Sequence, residues 1–580
     1  MDNKVEVINE RVDDIPLLLA HQQKMGIDEL INRHCKVHGN WQGASPGAIT
    51  VTWLAYILSE GDHRLNQLEE WYPKRARTVS HYVSEALVAN DFRDDRLAIM
   101  LKALSDDESW SALESELTQR TIRVYDLSVE HVRLDTTTVS GHWQVTEAGI
   151  FQYGHSKDYR PDLPQLKVML SSLDPLGMPL ATQVVSGNRA DDPLYWPAIA
   201  EVQKILGKKW LLYTGDTKMA AITTRATIQK NQGHYLCPLS QVQMPSEKLL
   251  DLIAPVRDGS IELTAVMRKQ ADGQVVHIAD AFEVALEQSA TVHEELVTWT
   301  ERQIVTCSHK YAQSQTQSLQ TRLSHAQEEI AALNARKQGK PRLTTQSQYA
   351  VAVDTILAQR QVIGLLDIHY AITREIRHIR KYLDRPERIE THETIHVSAS
   401  RNQSAIDHHI QTLGWRVYVT SAPVARLPLA DAVVAYREQF TEERAFGRLK
   451  GKPLSLTPMY LAKDDHATGL VRLLSLGLRI LSLLEFSVRQ ALEHEQSSLS
   501  GLYAGNPTRT TARPTAEKIL AAFQDIILTL IQQPDSTLYF LTPLSETQSH
   551  ILRLLGFGDS LYTGLTQLFS WNPAIQLHEP

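Results

Sequence analysis

The chain has 580 residues, 43% of them apolar and 22% charged. At roughly 100–200 residues per domain this gives room for about three to five folded units, each with its own core. Three cysteines (Cys35, Cys237, Cys307) are too few and too scattered for a disulfide framework or a four-ligand zinc site, which points to a reducing, cytoplasmic setting. A net charge of −8 argues against a surface that binds nucleic acid everywhere, yet it is compatible with a local basic groove.

The start of the chain, MDNKVEVINERVDD, is polar and acidic where a signal peptide is basic and then apolar. Residues 1–125 read as a helical domain, with apolar side chains at three-to-four spacing over 15–31 and 48–58. The basic-aromatic run WYPKRAR (71–77) reads as a solvated turn or a DNA contact.

From Val129 the texture changes to strands. VEHVRLDTTTV alternates apolar and polar side chains. LKVMLSSL (166–173) and MPLATQVVS (178–186) flank a D-P-x-G turn, which predicts an antiparallel hairpin. A helix over 193–206, a strand over 210–214, a helix over 219–232 and a strand over 235–239 complete an α/β pattern. Asp135 falls on its first strand and Asp216 just past the fourth.

Residues 249–306 read as β-rich and as no continuation of that sheet, with a turn at Ala271-Asp272-Gly273. A long polar helix over 311–336, a loop around Gly339-Lys340-Pro341 and a second helix over 350–363 follow. Between Arg302 and Tyr349 there are seven basic residues against two acidic ones. GWRVYVTSA (414–422) returns to strand alternation, and a single long helix is expected over 430–450, stopping at Gly451 with Pro453 just after. The apolar run 470–486 carries Arg472, Arg479 and Glu485, so it reads as a buried helix and not as a membrane span. The rest is expected to be mostly helical.

Three carboxylates stand where chemistry could use them: Asp135, Asp216 and Glu443. Converging carboxylates repel unless cations balance them, and hard divalent ions with oxygen ligands do so. Two such ions about 3.5–4 Å apart suit phosphodiester chemistry. Tyr436, Gln439, Phe440, Glu443, Phe446 and Lys450 share one helical stripe. Tyr436, Glu443 and Lys450 would then lie in a row about 20 Å long, while Glu442, about 100° away on the face of Glu438, reads as exposed. His34-Cys35…His38 and Cys307…His309 lack a second pair to complete a metal site, and no G-x-x-x-x-G-K-[ST] loop suggests ATP-driven chemistry. Trp299 is a candidate for stacking on an unpaired base, or a core residue.

The stretch YREQFTEERAFGRLK (436–450) resembles the Tyr-Arg-Glu-Lys signature of DDE transposases from prokaryotic insertion sequences. Tyr436, Glu443 and Lys450 match its spacing, and Gln439 stands at the arginine position. LDTTTVSG around Asp135, YTGDTKM around Asp216 and SGNRADD (186–192) are similar to further motifs of that family. The resemblance covers about 129–460. It implies a ribonuclease H-like catalytic core, interrupted by a β-rich plus helical insertion and flanked by helical N- and C-terminal regions. The implied division is 1–125 for a helical domain of DNA-end binding or dimerisation, 126–245 and 411–490 for the core, 246–410 for the insertion and 491–580 for a helical tail.

The resemblance further implies catalytic and metal-binding roles for Asp135, Asp216 and Glu443, holding Mg²⁺ or Mn²⁺, two ions in all. DNA contacts are implied for Tyr436, Gln439 and Lys450, with Lys218, Arg444, Arg448 and Trp299 as further candidates. Gln439 lacks the permanent cation and bidentate phosphate donor that arginine supplies. The implied partners are double-stranded DNA (terminal inverted repeats and target) and a second copy of the chain, with no membrane. The implied activity is metal-dependent cleavage of element ends followed by strand transfer. The alternatives are a structure-selective nuclease on the same core, or a non-enzymatic DNA-binding protein derived from a transposase.

Overall fold

The computed structural model describes residues 6–83, 86–270, 273–335, 343–380, 386–533 and 536–567. The loop expected around Gly339-Lys340-Pro341, and Ala271 and Asp272 of the expected turn, lie outside the described residues.

Fourteen strands are present among the described residues: β1 (Glu6–Arg11), β2 (His131–Ser140), β3 (Gln165–Leu173), β4 (Met178–Ser186), β5 (Leu212–Thr214), β6 (His234–Pro238), β7 (Thr264–Lys269), β8 (Val275–Val292), β9 (Glu295–Cys307), β10 (Leu366–Ile379), β11 (Arg388–Arg401), β12 (Trp415–Thr420), β13 (Ile527–Gln533) and β14 (Ser536–Leu541). Nine of them form one mixed sheet in the order β4-β3-β2-β5-β6-β12-β9-β8-β7. Strand β3 runs antiparallel to both β2 and β4, whereas β5 is parallel to both β2 and β6. Every residue of β3 is buried, which is why it reads LKVMLSSL without clean alternation. Helices Tyr195–Leu206 and Ile222–Lys230 make the crossovers that parallel pairing requires. The elements over 129–239 therefore match the sequence pattern closely.

Elsewhere the sequence reading needs correction. Residues 246–257 form a helix, and β7, β8 and β9 do continue the sheet. Strand β12 sits between β6 and β9, antiparallel to both, so the edge of β6 is paired and the following strands extend the same layer. Alternation reveals a strand but not its partner, and this is why the extension was not foreseen. The expected helical pair is present as His309–Ala332 and Gln346–Arg360. It packs with the hairpin β10–β11, which was not expected. The tail is not simply helical either. Strands β13 and β14 form a hairpin, and β1 pairs with β13, joining the two ends of the chain.

The expected helix over 430–450 is two helices, Leu429–Arg437 and Phe440–Lys450. In the WYPKRAR run Trp71, Tyr72 and Arg75 are buried, Arg75 pairing with Glu60 at 2.8 Å, while Pro73 and Lys74 are exposed, so the patch is partly interior.

The long helix Asp464–His494 is apolar and long enough to cross a membrane by composition alone, but it is almost entirely buried within the protein. Its charges are compensated there. Arg472 pairs with Asp107, Arg479 donates to the Thr118 hydroxyl at 2.9 Å, and Glu485 accepts from Arg444, Arg448 and Arg489. Burial without such partners would cost several kcal/mol per ion.

This helix crosses the helix Asp94–Ser105 at Gly469, where an added Cβ would lie 2.0 Å from the Leu101 carbonyl oxygen. Alanine is the better helix former by about 1 kcal/mol, yet the opposing atom is backbone and cannot rotate away. Gly469→Ala is expected to destabilise the protein by about 1–3 kcal/mol, the usual cost of overpacking. A urea midpoint equal to or above wild type would contradict this reading of the helix contact.

Candidate active site

The site is set by strand register. Strands β2 and β5 are parallel neighbours with Arg133 opposite Thr214. Two residues further along each chain come Asp135 and Asp216, so both carboxylates leave the same edge of the sheet side by side. Adjacent strands lie about 4.8 Å apart. Gly215 permits this exit, because a Cβ there would lie 2.8 Å from the Tyr195 ring and 2.9 Å from the Met219 sulfur. The helix Phe440–Lys450 packs against β2. Together these elements enclose a cavity of about 50 Å³ lined by Arg133, Leu134, Asp135, Thr214, Gly215, Asp216, Gln439, Glu442 and Glu443. Both expected aspartates and both adjacent glutamates thus meet at one cavity.

Each aspartate is held by groups of the chain itself. Asp135 accepts from the Thr136 amide at 2.7 Å and from the Lys157 ammonium at 3.2 Å. Burial raises the Asp135 pKa; the Lys157 charge opposes this and the Asp216 charge adds to it. Asp216 accepts from the Tyr195 hydroxyl at 2.6 Å and from the Lys218 amide at 2.8 Å. Burial, then the charges of Asp216 and Asp135, push the Tyr195 phenol well above its usual range, so it remains a donor. Behind this layer Lys167, only 4% exposed, binds Asp191 at 2.6 Å, and the second oxygen of Asp191 is 3.9 Å from Lys157. Asp135, Lys157, Asp191 and Lys167 therefore alternate in charge.

Sequence reasoning missed Lys157, Tyr195 and Lys167. Lys167 did carry a signal, since a lone lysine in an otherwise buried strand requires a partner. Its partner lies in the SGNRADD stretch. Lys157 lies in the β2–β3 loop and Tyr195 opens a helix, and neither has a pattern around it.

The two glutamates exchange the exposures expected of them. Glu442 is 4% exposed and accepts from the Ser172 hydroxyl, while its other oxygen has no partner. Burial pushes its carboxyl up to about 8; the Ser172 bond lowers it and the Asp135 charge raises it further. Glu443 is exposed at the rim. The cause is the break at Glu438 and Gln439: the second helix starts afresh at Phe440, and the phase of the first does not carry across.

The expected row of Tyr436, Glu443 and Lys450 is broken by the same feature. Tyr436 is buried against the Tyr418 ring, with centroids 4.4 Å apart, and presents no open phenol to DNA. Lys450 binds Asp158 at 2.6 Å. Arg448 is buried between Glu485 at 2.5 Å and Glu517 at 2.6 Å, and Arg444 binds Glu485. Both arginines are spent on the interior and are not free phosphate contacts. Trp299 is also a core residue, donating from its indole to the Tyr235 hydroxyl at 2.8 Å. Lys218 remains on the surface with its ammonium 3.9 Å from Asp192. Gln439 reaches the cavity.

Among the described residues no three His, Cys, Asp or Glu side chains are arranged as a ready set of metal ligands. At the acidic cavity Asp135 and Asp216 are engaged by Lys157 and Tyr195. No protein-family model matches the chain and no curated protein matches it. Among solved structures the chain is similar to a piggyBac transposase synaptic complex with hairpin DNA, determined by cryo-EM. The identity is 9%, 80% of each chain is covered and the TM-score is 0.25. A score that low does not establish a shared fold, so the functional reading rests on the site itself.

The raised pKa of Glu442 has a measurable consequence. Between about pH 4.5 and 8 the folded protein holds a proton that the unfolded chain has released, so stability falls as pH rises through that window. Glu442→Gln mimics the protonated form and removes this group's share of the slope, leaving that of Asp14 and Glu114, whose carboxyls burial also raises to about 7. The variant is expected to be more stable than wild type at pH 8 by roughly 2–4 kcal/mol, the gap closing towards pH 4.5. Parallel denaturation curves across the range would refute the protonated assignment.

Proposed function

We propose that the chain is a transposase of the DDE kind, cutting DNA at the ends of its own element and joining them to a target. The observation that carries this reading is the parallel β2–β5 register, which brings Asp135 and Asp216 together beneath the acidic first turn, Glu442 and Glu443, of the helix Phe440–Lys450. The strand order β4-β3-β2-β5-β6, antiparallel twice and then parallel twice, supports a ribonuclease H-like core. That core spans 126–245 and 411–490. The insertion over 246–410 adds β7–β9 to the same sheet and carries the helical pair and the β10–β11 hairpin.

The donor set fits hard divalent cations. Asp135, Asp216 and Glu443 offer only oxygen ligands at one cavity, and burial, with the Asp216 charge adding to it, raises the Asp135 pKa even against the Lys157 charge. Two Mg²⁺ or Mn²⁺ ions held there would activate a water or 3′-hydroxyl and stabilise the leaving oxygen of a phosphodiester. The residues of the chain have separate tasks. Tyr195 and the Lys218 amide fix the Asp216 carboxylate, and Gly215 leaves room for both. Glu443, exposed at the rim, faces the side from which DNA arrives. Glu442, buried and protonated at neutral pH, positions the helix through Ser172. Gln439 places a neutral amide at the rim, which makes a weaker phosphate contact than arginine would. The partners under this reading are double-stranded DNA and a second copy of the chain.

A strand-transfer assay with element-end DNA and Mg²⁺ tests the reading. Joined products support it, cut products alone indicate a nuclease, and binding alone indicates a non-enzymatic protein. Asp135→Asn and Asp216→Asn are each expected to abolish cleavage while leaving end binding intact, and full cleavage by either would remove that residue from the site. Glu443→Gln is expected to lower cleavage by several orders of magnitude and Glu442→Gln to leave it within about tenfold, because the chemistry needs an ionised carboxylate within reach of substrate. The reverse ranking would move the third ligand one residue along the helix.

A further inference from the structure

We propose that Lys157 is an internal counter-cation of the acidic cavity, and that a divalent cation entering the cavity drives its ammonium from Asp135 to Asp191. This inference rests on the metal-binding reading of Asp135 and Asp216 and adds a residue outside every motif discussed above.

The Lys157 ammonium lies 3.2 Å from Asp135 and 2.6 Å from the Thr136 carbonyl oxygen. It thus occupies the place of the positive charge that two adjacent carboxylates require. A second acceptor is already in place. Asp191 gives one oxygen to buried Lys167 and turns the other towards Lys157 at 3.9 Å. The Lys157 side chain is 30% exposed, so its flexible stem has room to swing. The backbone beneath it is fixed: the Lys157 amide donates to the Thr138 hydroxyl at 3.1 Å, and the Gln165 side chain donates to the His155 carbonyl at 3.0 Å. Lys450, on the acidic helix, holds the next residue, Asp158, at 2.6 Å. The loop is therefore anchored on two sides, and the movable part is the ammonium alone. An ammonium and a divalent ion on the same carboxylate repel strongly at such distances, so the two occupants exclude each other and compete.

Mn²⁺ titration of the intact chain, following free Mn²⁺ by electron paramagnetic resonance, tests this competition without DNA or turnover. Lys157→Met is expected to bind Mn²⁺ about tenfold more tightly than wild type. Lys157→Arg, which keeps the charge, should bind no more tightly than wild type. Lys157→Gln, which keeps a donor for the Thr136 carbonyl, should tighten binding as Met does and decides the matter if the Met variant fails to fold. In an Asp135→Asn background the Met substitution should make no difference. A purely structural role would weaken binding on substitution, so unchanged or weaker affinity in the neutral variants overturns the inference while the metal-binding reading stands. Absence of Mn²⁺ binding by wild type and every variant overturns both.

Discussion

Two carboxylates placed side by side at the edge of a sheet are the constraint on which the rest of this structure depends. The parallel pairing of β2 with β5 brings Asp135 and Asp216 to one cavity, where burial, and then the Asp216 charge, raise the proton affinity of Asp135. The surroundings answer that cost in layers. Lys157 and Tyr195 supply the inner donors, and Lys167 with Asp191 supplies a buried pair behind them. Arg133, fully buried on β2, binds Asp174 and the Ala435 carbonyl oxygen, which ties the strand to the helix Leu429–Arg437. The helix Phe440–Lys450 is in turn fixed through its own Arg444 and Arg448 to Glu485 of the helix Asp464–His494.

This arrangement explains why the basic side chains near the signature helix do not all face outward. Glu485 lies in the buried helix Asp464–His494, and a carboxylate there needs cations from its neighbours. Arg444, Arg448 and Arg489 serve it. Under the proposed function, DNA contacts fall to other surfaces, with Lys218 and the rim at Gln439 nearest the cavity.

The order of elements over 129–239 was legible because each strand there is short, apolar and bounded by turn chemistry, and Asp135 and Asp216 sit at strand positions that geometry alone relates. Three features were not legible. The break after Arg437 separates the two helices, and no pattern in 430–450 marks it, so the phases of Glu442 and Glu443 do not follow from helical spacing. The extension of the sheet through β12 depends on partner choice, which alternation does not encode. Lys157 enters the site from a loop without periodicity, and only the fold reveals that it meets Asp135. Trp299 shows the converse: an aromatic residue suggests stacking, but its indole is committed to Tyr235.

The central claim is that Asp135 and Asp216, with the acidic helix, bind divalent cations at one point. Iron-directed cleavage of the protein backbone tests it most directly. Fe²⁺ would be loaded in place of Mg²⁺, and ascorbate with peroxide would generate radicals that cut the chain beside the bound metal. Cuts clustered near residues 135, 216 and 439–443, three stretches far apart in sequence, and suppressed by excess Mg²⁺, are the expected result. Cuts confined to other segments, or none that Mg²⁺ suppresses, would contradict a metal site at this cavity.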